Sequence, residues 1–414
     1  RQLQLCIRDS FYFSIYRMIS FSITNQRSSS QARTGRLTTP HGTVDTPVFM
    51  PVGTLGPVKG ITPDELQSCG FGLMLSNSYH LYLRPGYQLI AEMGGLHRFT
   101  GWTKSILTDS GGFQLVSLSD LRKITDEGVT FKSHLDGSMH LLTPERCMEI
   151  QMALGSDIMM VLDECPTHPC TIDQASEAVH RSTKWAWRCK QAAQTSKQAL
   201  FGIVQGGLDA DLRRKAAHAL VEIGFDGYAL GGLSLGEDKL AMMAMIEASI
   251  HELPPDRPRY LMGVGLPEDL VEGVLRGVDM FDCVIPSRHG RTGWLFTSTG
   301  RVMIKNAQYA RDESPIDKQC GCPVCQKHSR AYLRHLFLSN EMLGVRLNTL
   351  HNLWHYHQLM KQIRSAIQED RLLEFREQFY ATREVSPRSE AYIEEVGVVT
   401  TSRNVNVRKE QKLC

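Results

Sequence analysis

The stretch Ile158-Met-Met-Val-Leu-Asp-Glu164 is apolar without alternation and then stops in two acids. A strand with one wet face alternates polar and apolar residues, whereas a short unbroken apolar run suits a strand buried on both faces under helices. Seven more runs share this character: Val48-Phe-Met-Pro-Val-Gly53, Leu73-Met-Leu-Ser-Asn77, Ile106-Leu-Thr-Asp109, Phe201-Gly-Ile-Val-Gln205, Tyr228-Ala-Leu-Gly-Gly232, Tyr260-Leu-Met-Gly-Val264 and Met280-Phe-Asp-Cys-Val284. Amphipathic stretches lie between them, at Thr143 to Leu154, Ile172 to Ala193, Ala210 to Ile223 and Pro267 to Arg276. Thr143-Pro-Glu-Arg and Thr171-Ile-Asp-Gln look like helix starts, with a capping hydroxyl followed by an acid or amide. Eight buried strands alternating with helices predict an α/β fold, a (β/α)8 TIM barrel, because parallel strands need helical crossovers and eight of them close the sheet. A doubly wound open sheet is the competing reading. Between the third and fourth runs, Val129-Thr-Phe-Lys-Ser-His-Leu-Asp136, Gly137 and Ser138-Met-His-Leu-Leu form two strand-like halves around Asp-Gly, which predicts a β-hairpin insertion.

Beyond the last run comes Cys320-Gly-Cys322-Pro-Val-Cys325, and then His351. Three thiols at C-x-C-x2-C spacing and one imidazole make a closed tetrahedral set for a structural Zn2+, with no position left for water. The alternative is three buried free cysteines and an unrelated histidine. The other eight cysteines are scattered without a framework spacing, which fits a reducing, cytoplasmic setting. Four segments are expected: a leader at 1–36, disordered or non-native; the catalytic barrel at 37–300; a zinc-binding subdomain with terminal helices completing the barrel at 301–385; and a polar tail at 386–414. The leader is rich in Arg and Ser, with Asp9 as its single acid, and resembles an organelle transit segment in composition. Its internal Met18 supports equally the reading that the first stretch precedes the true start.

The chain has 414 residues, 42% hydrophobic and 22% charged, with a formal net charge of +2. Near neutrality, a polyanion partner has to be held by a local patch, and Lys and Arg outnumber acids between Ile285 and Leu338. No apolar run approaches the length that spans a bilayer, so no membrane partner is expected.

In barrels of this kind the active site forms where the strands end. Those ends carry Asn77, Asp109, Asp163-Glu164-Cys165, Gln205, Gly231-Gly232, Met262-Gly263 and Asp282. Carboxylates converging on one mouth can divide the work, one attacking and another moving a proton, and such a pair suits glycosyl chemistry without a metal. Each Asp could instead cap the helix after its strand.

Thr46-Pro-Val-Phe-Met-Pro-Val-Gly, Leu107-Thr-Asp-Ser-Gly-Gly-Phe-Gln, Phe131-Lys-Ser-His-Leu-Asp-Gly, Gly224-Phe-Asp-Gly-Tyr-Ala-Leu-Gly-Gly-Leu, Tyr260-Leu-Met-Gly-Val-Gly and Met280-Phe-Asp-Cys-Val, together with the cysteine cluster, resemble tRNA-guanine transglycosylase. The resemblance runs from about Gly35 to Ile367. It implies an enzyme that exchanges the wobble guanine of GUN-anticodon tRNAs for a 7-deazaguanine in queuosine biosynthesis. It further implies Asp282 as the nucleophile on the ribose anomeric carbon and Asp109 as general acid and base, steadied by Asn77 and Gln114. Asp163, Gln205 and the Gly232 N–H would meet the base edge, with Cys165 beside it and Phe113 and Met262 sandwiching the ring; Gly263 belongs to the same substrate-binding set.

Bacterial members of that family take 7-aminomethyl-7-deazaguanine, and Asp163-Glu164-Cys165 with Leu235 resembles their pattern, while Phe113 matches the eukaryotic one. The aminomethyl base is therefore expected, with the Leu233 carbonyl and Glu237 facing its ammonium group. Arg288 and Arg291 are expected to hold anticodon-loop phosphates, with Lys305, Lys327, Arg330 and Arg334 extending the track. The zinc subdomain and terminal helix resemble the family's dimer surface, which implies a homodimer. The competing readings are a eukaryotic-type queuine-inserting subunit, a non-catalytic tRNA-binding partner subunit and a metal-dependent barrel hydrolase; the last lacks ligands at the strand ends.

Overall fold

The computed structural model describes residues 19–26, 30–118 and 122–383. Its centre is one parallel sheet whose strands follow the eight apolar runs. We number them β1 (Val48–Met50, resumed at Val52–Gly53), β2 (Leu73–Ser76), β3 (Ser105–Thr108), β4 (Ile158–Met160), β5 (Ala199–Val204), β6 (Gly227–Leu230), β7 (Arg259–Leu261) and β8 (Met280–Asp282). β1 is cut in two at Pro51, which has no N–H to give a neighbour. Its first half pairs with β8 and its second with β2, so the strand that is interrupted is also the one that closes the barrel. The open-sheet alternative is thereby excluded. Nearly every strand residue is buried, as the unbroken apolar runs require.

The helix starts follow their local chemistry. The Thr143 side chain accepts from the Arg146 N–H, and Thr171 and Gln174 form a reciprocal capping box. The insertion between β3 and β4 is a three-stranded antiparallel sheet, Arg122–Ile124, Val129–Lys132 and Met139–Leu142.

One expectation is corrected. The leader was expected to reach residue 36, but Ser20–Gln26 is a strand paired antiparallel with Arg33–Thr39, which pairs in turn with Gly42–Thr46. Arg33 anchors this sheet under the barrel: its guanidinium is fully buried and grips Asp279, just before β8, at 2.9 and 2.6 Å. Residues 1–18 and the tail expected at 386–414 lie outside the described residues.

The C-terminal part is tied to the barrel by one long helix, Met342–Gln368. Its Asn352 accepts from the Phe296 N–H at 3.0 Å and donates to the carbonyls of Pro286 and Trp294. Gly290, on the helix Ile285–Thr292 that follows β8, lets the two helices touch; a Cβ there would sit 2.6 Å from the Thr349 Cα. Among the described residues no helix is long and apolar enough to cross a membrane.

Candidate active site and metal cluster

Three aspartates from three strand ends line one cavity of about 420 Å3 at the C-terminal mouth of the barrel. Asp282 is the last residue of β8. Its Oδ1 accepts from the Tyr260 hydroxyl at 2.6 Å and from the Gly263 N–H at 2.8 Å, so Oδ2 is the oxygen left for an electrophile. Burial raises its pKa, and the two donors oppose that rise by favouring the carboxylate. Asp109 follows β3, accepting from the Asn77 side-chain amide and from the Ser78 N–H at 2.9 Å. Burial, reinforced by the charges of Asp282 and Asp163, pushes it up to about 7, against the pull of the Ser78 bond. Asp163 lies just past β4, accepting from the Ser110 hydroxyl at 3.0 Å and the Gln205 amide at 2.7 Å, and burial raises it as well. One buried site thus holds a proton-carrying carboxyl poised near neutrality and a second carboxylate with one oxygen unbonded.

The same cavity is lined by Phe113, Cys165, Gln205, Gly232, Leu233, Met262, Gly263 and Arg288 of the residues singled out from sequence, and by Leu235. Phe113 is 49% exposed, at the rim. Burial drives the Cys165 thiol up to about 12, so it meets a ligand as a neutral group. Arg291 does not line the cavity; its guanidinium donates to the Ser287 carbonyl at 2.9 Å. Arg330 is committed to Asp312 at 3.0 Å and to the Ile316 carbonyl, and Arg334 to the Asn306 carbonyl, which ties both into the local fold.

Several contacts differ from the sequence reading. The steadying role expected of Gln114 falls to the Ser78 backbone, while the Gln114 Oε1 is buried without a partner. The Gly263 N–H is spent on Asp282. The Glu237 carboxylate accepts from the N–H groups of Ser234 and Leu235, folding that turn over itself. Tyr260 joins the site although it stands inside its strand and not at the end; a hydroxyl in a buried apolar strand has to find an acceptor, which is the one sequence signal for it.

The second cluster is Cys320, Cys322, Cys325 and His351, whose donor atoms all lie within 4.8 Å of one another. The His351 Nδ1 is 3.8, 3.5 and 3.4 Å from the three sulfurs in that order. A tetrahedral zinc with ordinary Zn–S and Zn–N bonds gives a sulfur-to-nitrogen edge of about 3.6 Å, so the spacing fits. The His351 Nε2 faces the Phe296 carbonyl at 2.7 Å, which places the ring proton there and leaves Nδ1 its lone pair. These four residues can hold a metal ion.

A third group, His41, His97 and Asp157, sits at the other end of the barrel, before β4. Its imidazoles stack at 3.5 Å. His41 Nδ1 faces Asp157 at 2.7 Å, and His97 Nε2 faces the Lys104 carbonyl at 3.0 Å. Ring nitrogens aimed at oxygens carry protons there, so this group is a hydrogen-bonded clamp.

A closed (β/α)8 barrel with three carboxylates at its mouth and, apart from them, an appended Cys3His cluster able to hold a metal defines the class of protein. A family model described as Queuine tRNA-ribosyltransferase matches residues 28–385. A protein named Queuine tRNA-ribosyltransferase from Halothermothrix orenii is 56% identical over 361 residues, covering 87% of this chain and 97% of its own. Another of that name from Pelotomaculum thermopropionicum is 55% identical, covering 87% and 98%. One from Desulforapulum autotrophicum is 54% identical over 369 residues, covering 89% and 100%. The chain belongs to the queuine tRNA-ribosyltransferase family, a family of pentosyltransferases acting on tRNA.

Proposed function

We propose that this protein exchanges the wobble guanine of GUN-anticodon tRNAs, those for Asp, Asn, His and Tyr, for 7-aminomethyl-7-deazaguanine through a ribose ester on Asp282. The observation that carries this reading is the convergence of Asp109, Asp163 and Asp282 on one cavity. Oδ2 of Asp282 attacks the anomeric carbon, the bond to guanine N9 breaks, and the leaving base takes the electron pair and a proton from Asp109. Asp109, now ionised, accepts the N9 proton of the incoming base, whose nitrogen attacks the same carbon and releases the Asp282 carboxylate. A value near 7 suits Asp109 to both halves of this cycle. Asp163 accepts from N–H groups on the base edge, the Gly232 N–H and Gln205 serve its carbonyl side, and Phe113 and Met262 cover its faces. The nucleotide has to leave its stack to enter a buried mouth.

Leu235 on the cavity wall supports the smaller aminomethyl base over queuine, whose added cyclopentenediol needs more room beside that wall. The relatives' names favour queuine as a second reading, and competition between the two bases for one labelled tRNA decides between them. Arg288, at the cavity edge, and Arg291 beyond it are assigned to anticodon-loop phosphates, Zn2+ to the Cys3His cluster, a homodimer to the assembly, and the cytoplasm as the setting. Residues 301–385 are proposed to act as the zinc-binding subdomain. The direct test is incorporation of labelled guanine into tRNA, with denaturing gels for a protein–RNA adduct. Asp282→Ala is expected to lose the adduct and to slow exchange by roughly 10³-fold or more; undiminished exchange would refute the mechanism.

A further inference from the structure

Behind the base-binding wall lies a guanidinium that the reaction above does not use. Arg213, on the helix Ala210–Ile223, is fully buried, and among the described residues no carboxylate forms an ion pair with it. It donates from Nε to the Gly207 carbonyl at 2.8 Å and from Nη2 to the Gly231 carbonyl at 3.0 Å, while Nη1 is buried without a partner. One side chain thus ties together the loops that leave β5 and β6, the two that carry Gln205 and Gly232.

The glycines exist to admit this arrangement. A Cβ at Gly206 would lie 2.8 Å from both the Arg213 Cγ and its backbone nitrogen, and one at Gly232 would lie 2.5 Å from the Gln205 Oε1. Gly232 also sits at φ +69°, which a side chain would strain.

We propose that Arg213 is a positioning residue for base recognition: by holding the Gly231 carbonyl it aims the Gly232 N–H into the cavity and strengthens that N–H as a donor to the carbonyl oxygen of the base. In a planar trans peptide the C=O of one residue and the N–H of the next point in opposite directions. With the Gly231 oxygen fixed on a guanidinium outside the wall, the Gly232 hydrogen is fixed toward the inside. A cation on the oxygen polarises the amide and makes its hydrogen a better donor, and the gain is larger in a dry site than in water. The same dipole stabilises negative charge as the base departs. Although burial lowers Arg213 to about 10, it stays charged at neutral pH.

This inference rests on the proposed base-exchange reading, and the test separates the two. Inhibition constants of guanine and of 2-aminopurine, which keeps the ring and the 2-amino group but lacks the carbonyl oxygen and with it the N1 proton, are measured against labelled-guanine exchange. Wild type should prefer guanine by tenfold or more. Arg213→Lys, which keeps charge and stem but cannot reach both carbonyls, and Arg213→Met should weaken guanine about tenfold and leave 2-aminopurine within twofold. Equal weakening of both bases, or no change for either, overturns the proposal. So does a wild type indifferent to the carbonyl, an arm that needs no variant to fold. A wild type that exchanges no guanine at all counts instead against the function itself.

Discussion

At the scale of single residues, the site depends on placing acids where little solvent reaches them: Asp109, Asp163 and Asp282 are only 6–9% exposed. Asp109 is held up to about 7 against an ordinary value of 3.8. Between those two values the folded protein keeps a proton that the unfolded chain has released, so stability falls as pH rises through that window and stays low above it. At roughly 1.4 kcal/mol per pKa unit, the ionised carboxylate costs on the order of a few kcal/mol by about pH 8. Asp109→Asn should therefore melt higher than wild type at about pH 8, the gap shrinking toward about pH 5, while exchange is lost; thermal unfolding at the two pH values tests this, and a variant less stable at the higher pH contradicts it. Tyr260 works in the opposite sense on Asp282. Its hydroxyl favours the ionised form, so Tyr260→Phe should move the acidic limb of kcat/KM to higher pH and lower the rate about tenfold at neutrality, with partial recovery on raising the pH. An unshifted profile would show that the hydroxyl does not tune Asp282, the proposed nucleophile.

At the scale of elements, legibility in the sequence tracked burial. The eight barrel strands announced themselves because both faces are dry, so their polar residues, such as Ser76, Ser105, Thr108 and Asp282, fall at the strand ends. The strand Ser20–Gln26 gave no such signal: its side chains alternate between exposed and half-buried, none is fully buried, and the Arg/Ser-rich stretch around it resembles a leader. Asp109, Asp163 and Asp282 were visible as strand-end acids, yet their partners were not. Ser78 acts through its backbone, and the Arg33–Asp279 pair joins residues 246 apart, which no local pattern records. The clamp before β4 belongs to this scale as well. Asp157 holds His41 from the turn after Arg33–Thr39, His97 from the helix Gly95–Thr100, and the Ile106 N–H of β3 at 2.8 Å. These bonds lower its pKa against the opposing effect of burial, so its contribution is present above the ordinary value of 3.8 and is lost as pH falls through its lower folded value. Asp157→Asn should cost about 1–3 kcal/mol at neutral pH, read by denaturant unfolding, and leave kcat unchanged, because the clamp lies at the end of the barrel away from the mouth. A large drop in kcat would show that the two ends are coupled.

At the scale of the whole molecule, the helix Met342–Gln368 decides whether the Cys3His cluster and the barrel are one folding unit or two. His351 faces the three sulfurs, and one turn later Tyr356 is buried, its hydroxyl bonded to the Gly265 carbonyl, two residues beyond the Gly263 that holds Asp282. Leu353, Met360 and Ile363 of the same helix join the barrel core. If the cluster holds the proposed metal, its removal frees a ligand on an element whose other faces pack against the barrel, and binding energy at such a site is folding energy. Removing the metal with a chelator, or replacing Cys322 by Ser, should lower the single main unfolding transition by several °C or more, instead of melting a small subdomain on its own. Calorimetry with metal content measured in parallel reads this directly. Two separated transitions, the larger unmoved by metal loss, would show that residues 301–385 fold independently of the barrel and that the long helix is a tether between units rather than a shared part of their core.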